Sequence, residues 1–197
     1  MHKKLLFETI KIQDGEIFNL EYHQARCEQS RREVFCRNDK VKLSSFLNPP
    51  KKGLFRCRIF YDAKIQSIEY ISYTPKIIKK LKIVSSNITY NHKYADREEL
   101  DALLSKEINI DEVIIEKDGY LSDTTIANIA FYDGKEWFTP KTPLLKGTMR
   151  AKLLDEGFLQ TKDIKSLEIL KYKKVALMNA MIGFRVLNED IIIEPSE

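Results

Sequence analysis

The stretch DEVIIEKDGYLSDTTIANIAFYDGKEWFTP, residues 111–140, decides the fold. DEVIIEK (111–117) is an apolar, β-branched run, Asp118-Gly119 is a hairpin turn signal, and YLSD (120–123) is the return strand. ANIAFYD (127–133), Asp133-Gly134 and KEWFTP (135–140) repeat that form. Working outward, LLFETIKI (5–12) alternates, Asp14-Gly15 turns the chain and GEIFNL (15–20) returns. Residues 21–35, rich in Gln, Glu and Arg with few breakers, predict a helix. LFRCRIFYD (54–62) and IQSIEYIS (65–72) predict a further hairpin, with Arg56 and Arg58 on one face and Phe55, Cys57 and Ile59 on the other.

Pro75 cannot donate to a sheet and biases Thr74 towards extended geometry, which places a domain junction near 72–77. The expected organisation is a small N-terminal lobe over 1–74 and a larger C-terminal lobe over 75–197. Within the latter, LKIVSS (81–86) is a strand. A helix starts at Asp96, with Glu99 completing a capping box and Leu100, Leu103 and Leu104 as its apolar stripe. A second helix, roughly 148–157, follows Gly147, and KVALMN (174–179) is a buried strand. Many hairpins with a few short helices predict an α+β fold rather than alternating βαβ.

With 197 residues and 43% hydrophobic content, the chain has the material for real cores. The net charge is +4, but the basic residues are interleaved with Asp and Glu. Even the densest run, Lys76 to Lys82, is broken by isoleucines and a leucine, so no coherent nucleic-acid face is expected. The mild excess suits an anionic small molecule. Cys27, Cys36 and Cys57 are odd in number and form no close metal-type pair, which argues against a disulfide framework and for a reducing compartment. MHKKLLFETI has no apolar run long enough for a signal peptide, and no segment approaches the roughly 20 apolar residues of a membrane helix. The expectation is a cytoplasmic protein with neither membrane nor metal.

Four segments combine chemically useful groups. In YNHKYADR (90–97), Lys93 lies between strand-like and helical segments, and a sheltered lysine can form an imine with an aldehyde. In GYLSDTTIANIAF (119–131), Asp123 could pair with a protonated pyridine nitrogen while Asn128 holds the loop. In TPLLKGTMR (142–150), Gly147, Thr148 and Met149 open a helix and offer N–H groups and a hydroxyl to a phosphate. In EYHQARCEQS (21–30), Arg26 could reach a phosphate bidentately, with His23 as a packing or supporting residue on the same helical face. Read alone, each segment also suits an ordinary role: a solvated loop lysine, a polar turn, a helix capped by Thr148, a solvated helix face.

Taken in order, these stretches resemble class IV aminotransferases, the fold-type IV pyridoxal-phosphate enzymes. FET (7–9), HQAR (23–26), HKYADR (92–97), SDTTIANIAF (122–131), TPLLKGTMR (142–150) and MNAMIGF (178–184) run in the family's order across almost the whole chain. The resemblance implies a two-lobed architecture and pyridoxal 5'-phosphate as cofactor. It implies Lys93 as Schiff-base lysine, Arg26 as phosphate ligand, Thr148 and Met149 as the phosphate turn, and Asn179-Ala180 as a second loop on that side. Asp123 falls where the family usually has Glu, one methylene longer. Family members usually carry a further N-terminal strand and a GDG-like turn, whereas here six residues precede Phe7.

KGTMR and MNAMIGF, with the Arg four residues after Lys93, resemble the 4-amino-4-deoxychorismate lyase branch more than the transaminases. The implied activity is conversion of that amine to 4-aminobenzoate and pyruvate, a step of folate biosynthesis, with Arg56 or Arg58 holding a substrate carboxylate. Transamination of D-amino or branched-chain amino acids is the alternative, and a cofactor-binding or vestigial homologue is the third. The resemblance also implies a homodimer.

Overall fold

The computed structural model describes residues 4–195. They form two compact units, one of 4–75 with 92–96 and one of 76–91 with 97–195. The first unit is built on β1 (Leu6–Gln13), β2 (Glu16–Ile17), α1 (Leu20–Phe35), β3 (Leu54–Tyr61) and β4 (Ile65–Ser72). Its antiparallel sheet has the order β2-β1-β3-β4. Period-2 alternation turns Leu6, Ile10 and Ile12 inward, against Cys57, Ile59 and Tyr61 of β3 and Cys27 of α1. Asp14 and Gly15 both have positive φ, 51° and 87°, as a tight hairpin turn requires.

The return strand expected over 15–20 is only two residues long. Asn19 turns left-handed, φ 52°, and α1 begins at Leu20, so the pairing stops after Phe18 N–H reaches Lys11 C=O. The first half of the outer edge of β1 is therefore open to another partner, and residues 92–96 take it. Phe7 N donates to Lys93 O at 2.9 Å, Ala95 N donates to Leu5 O at 2.8 Å, and Leu6 bridges Tyr94 antiparallel. Unpaired main-chain groups on a sheet edge need such partners. The Lys93 segment, which sequence places with the second lobe, thus belongs by its contacts to the first unit.

The second unit contains β5 (Lys80–Ser85), α2 (Glu98–Ser105), β6 (Glu112–Lys117), β7 (Tyr120–Thr124), β8 (Asn128–Tyr132), β9 (Trp137–Pro140), α3 (Thr148–Asp155), β10 (Leu159–Lys162), β11 (Lys174–Asn179), β12 (Gly183–Val186) and β13 (Ile192–Glu194). One sheet has the order β13-β5-β6-β7 and the other β10-β9-β8-β11-β12. The hairpins β6–β7 and β8–β9 are antiparallel. Three pairs are parallel, however: β5 with β6, β9 with β10 and β13 with β5. The first two are joined through α2 and α3, the helical crossovers that parallel neighbours need. Ile129 and Phe131 pack with Leu81, Ile114, Leu121 and Leu177, while Ala130 between them packs with Leu153 of α3, so both faces of β8 are covered.

The helix expected from Asp96 begins at Glu98, with Arg97 at its N-cap. Arg97 donates to Asp101 Oδ1 (2.8 Å) and to Thr125 O (2.9 Å), which ties the helix start to the turn after β7. No helix among the described residues is long and apolar enough to cross a membrane.

Candidate active site

In the first unit, Glu8 is a fully buried carboxylate among Leu6, Ile10 and Ile12 on the inner face of β1. His23 and Arg26 lie three residues apart on α1, a spacing that puts both on one face, and both reach it. His23 Nδ1 is 2.6 Å from Glu8 Oε2. Arg26 Nε donates to Oε1 at 3.0 Å and Nη2 to Oε2 at 2.5 Å. Burial alone would raise the Glu8 carboxyl, but the Arg26 charge and the His23 hydrogen bond outweigh it and bring it down to about 2. Burial pushes the His23 imidazole below its ordinary value despite Glu8, so the ring is neutral at pH 7 and its Nδ1–H donates to the carboxylate.

A bidentate contact from Arg26 to a phosphate, as expected from sequence, would have to use its outer Nη1/Nη2 edge. The Nε/Nη2 edge is committed to Glu8, so an anion would have to be met by the Nη1 side. Lys93 Nζ stands 4.6 Å from the centroid of the Phe7 ring. Phe7 stacks on Phe60 at 5.6 Å, and Arg58 Cζ lies 5.8 Å from the same Phe7 centroid. The register of β1 and β3 pairs Phe7 with Phe60, Thr9 with Arg58 and Lys11 with Arg56. The structure thus gathers Arg58 with Lys93 around Phe7, whereas Arg56 lies further along, opposite another cation.

In the second unit, Asp123 is buried at the end of β7 and fastened through both oxygens. Oδ1 accepts from Asn128 Nδ2 at 2.8 Å and Oδ2 from Leu145 N at 2.9 Å. Asn128 Nδ2 also donates to Leu145 O at 2.8 Å. A Cβ at Gly147 would lie 1.9 Å from Asn128 Oδ1, so only glycine lets this loop close over the amide. Burial pushes the Asp123 carboxyl up to about 6, against the opposing pull of the Asn128 and Leu145 hydrogen bonds and the Arg150 charge. Arg150 is itself buried and donates to Pro140 O at 3.0 Å.

Gly147 is the N-cap of α3 and brings no side-chain cap of its own, and a ligand at Thr148 and Met149 would meet the positive end of the helix. Thr148 is buried; the Met149 side chain packs against Ala130, Leu153 and Met178, leaving its main chain to meet a ligand. Asn179 Oδ1 accepts from Met181 N (2.9 Å) and Ile182 N (3.0 Å), and Nδ2 donates to Ile126 O (3.1 Å). Its side chain thus builds the turn that contains Ala180 and ties it to the turn after β7, rather than being held out for a cofactor. These groups share one end of the five-stranded sheet: the start of β8 and the ends of β9 and β11.

In kind, each unit brings donors suited to pyridoxal phosphate: the first a lysine amine and a guanidinium, the second a buried carboxylate and a helix start. Among the described residues, no group of three or more His, Cys, Asp or Glu could hold a metal. Sequence reasoning gave no role to Glu8, although FET contains it, nor to Arg150, although KGTMR contains it. It also passed over Glu112, fully buried, which accepts from Thr125 Oγ1 at 2.6 Å and so props the turn beside Asp123. Their signal lies in pairings across many residues, which a single sequence does not display.

The family model for amino-transferase class IV matches residues 66–188. An uncharacterized protein of Haemophilus influenzae is 38% identical over 185 residues, covering 90% of this chain and 98% of its own. A candidate aminodeoxychorismate lyase of Schizosaccharomyces pombe is 26% identical, covering 83% of this chain and 78% of its own. Among solved structures, a candidate 4-amino-4-deoxychorismate lyase from Haemophilus somnus 129PT superposes with a TM-score of 0.85 at 33% identity, covering 93% of this chain and 99% of that one.

Proposed function

The chain belongs to the amino-transferase class IV family, whose members depend on pyridoxal phosphate, and within it we propose that the protein is a 4-amino-4-deoxychorismate lyase. The cofactor reading is carried by Asp123, a buried carboxylate clamped by the same 145–147 loop that opens onto the start of α3. The KGTMR and MNAMIGF loops favour the lyase reading, and the descriptions of the relatives at 33% and 26% identity agree with it.

Bound pyridoxal phosphate supplies an electron sink for bond breaking at the carbon that carries the substrate nitrogen. Lys93 would hold it covalently through Nζ. Asp123 would keep the ring nitrogen protonated, since a nearby anion favours the charged form of a base. Arg26, Thr148, Met149 and the Ala180 turn would hold the phosphate. The free Lys93 amine would be the base that takes the proton from the substrate carbon and returns one to the leaving enol. Arg58, beside Phe7, would bind a substrate carboxylate. Pyruvate and 4-aminobenzoate together account for every atom of the substrate, so no keto acid is consumed.

The test is an absorption spectrum of the protein with pyridoxal phosphate, before and after borohydride, beside Lys93→Ala. The expected result is a visible band that borohydride traps on the Lys93 peptide, followed by pyruvate release from aminodeoxychorismate without added keto acid. Trapping that persists in the variant would overturn the Lys93 role. Turnover that requires a keto acid would replace the lyase by a class IV transaminase.

A further inference from the structure

We propose that Glu8, oriented by His23, is a positioning residue that fixes which edge of the Arg26 guanidinium faces an anionic ligand. The inference rests on the reading of Arg26 as the ligand of the cofactor phosphate. Its grounds lie wholly within the first unit. Glu8 and His23 are both fully buried, and Glu8 accepts from the Nε and Nη2 groups of Arg26 through separate oxygens. A planar fork held at two points cannot rotate about its axis, so the orientation of the third nitrogen is set by the carboxylate. His23 Nδ1 bonds Oε2, the oxygen that also takes Nη2, and removes the remaining torsional freedom of the carboxylate. Exposed ion pairs contribute little, but this one is shielded from water and salt, with the arginine side chain only 14% exposed.

The arrangement has a functional economy. An arginine that greets a phosphate with its Nε/Nη2 fork must be free to turn; one already locked by that fork is preorganised and loses little side-chain freedom on binding. Glu8 also cancels one positive charge in an apolar setting, so the locked Arg26 remains charged without a ligand. Glu8 touches neither cofactor nor substrate in this scheme and acts through Arg26 alone.

The experiment compares affinity for pyridoxal phosphate with affinity for pyridoxal, which lacks the phosphate, in the full chain, Glu8→Gln, Arg26→Lys and the double variant. Glu8→Gln is expected to weaken pyridoxal phosphate by about tenfold while leaving pyridoxal nearly unchanged, and to add nothing in the Arg26→Lys background. Equal losses for both ligands, or additive losses in the double variant, would mark Glu8 as structural and overturn the proposal. If Arg26→Lys leaves the phosphate preference intact, the phosphate reading of Arg26 fails as well, and the two failures are told apart by that single variant. Should Glu8→Gln not fold, the Arg26 Nε–H signal of the unmutated protein decides the matter by NMR. A signal that stays protected and unshifted when pyridoxal phosphate binds supports the lock; a fork that leaves Glu8 for the ligand refutes it.

Discussion

Gly147 shows how a single missing atom can govern a site. Its Cα carries no Cβ at the point where one would overlap Asn128 Oδ1, at 1.9 Å. In Gly147→Ala the amide must swing away, giving up its bonds to Asp123 and to Leu145 O. Losing two buried hydrogen bonds is expected to cost on the order of 2–4 kcal/mol, read as a lower urea midpoint with an unchanged slope. Asp123 offers a second measurement. Burial raises its carboxyl to about 6, opposed by Asn128, Leu145 and Arg150, so as pH falls through that value the group takes up a proton and loses the charge that would stabilise a pyridinium. Uptake of pyridoxal phosphate should therefore weaken below about pH 6 and hold steady above it, and Asp123→Asn should remove that step. A cofactor affinity flat between pH 5 and 7 in the unmutated protein would assign the ring nitrogen to another partner.

Among the elements, the strip 92–96 carries the candidate lysine without being a strand of its own. The Phe7 N–H bonds its Lys93 carbonyl, and the Ala95 N–H reaches Leu5 O just before β1. Ala95→Pro removes that donor. Faster amide exchange at Phe7 and slower borohydride trapping at Lys93 should follow; unchanged exchange would show that the strip is held by side chains instead. The same strip marks the limit of what can be read from the chain. Hairpins are legible because their information is local: Asp14-Gly15 and Asp118-Gly119 take the positive φ values that such turns need. Parallel pairs are not, since nothing in Lys80–Ser85 or Leu159–Lys162 announces a partner beyond a helix. α2 begins late because Arg97 finds Thr125 O, a residue far along the chain that no capping rule weighs. For the site, Lys93, Asp123 and Arg26 stood out through motif order, with Asn128 and His23 as supporting residues, but Glu8 did not. Glu8 lies 15 residues from His23 and 18 from Arg26, and only the fold brings them together.

For the whole molecule, the course of the chain matters as much as its sheets. It leaves the first unit after Pro75, contributes β5 to the second, returns for five residues around Lys93, and departs again at Arg97. The proposed cofactor lysine is thus threaded into the smaller unit as a loan from the middle of the sequence. Gene surgery meets this directly. A fragment stopped at Pro75 would encode every strand of the first sheet and all of α1, yet it would leave the Leu5 carbonyl and the Phe7 amide unclaimed on a bare edge, inviting a second copy to pair there. Covering that edge within one chain takes residues 92–96 as well as β1, and a circular permutation or split reporter built on this protein should keep the two on the same side of the cut.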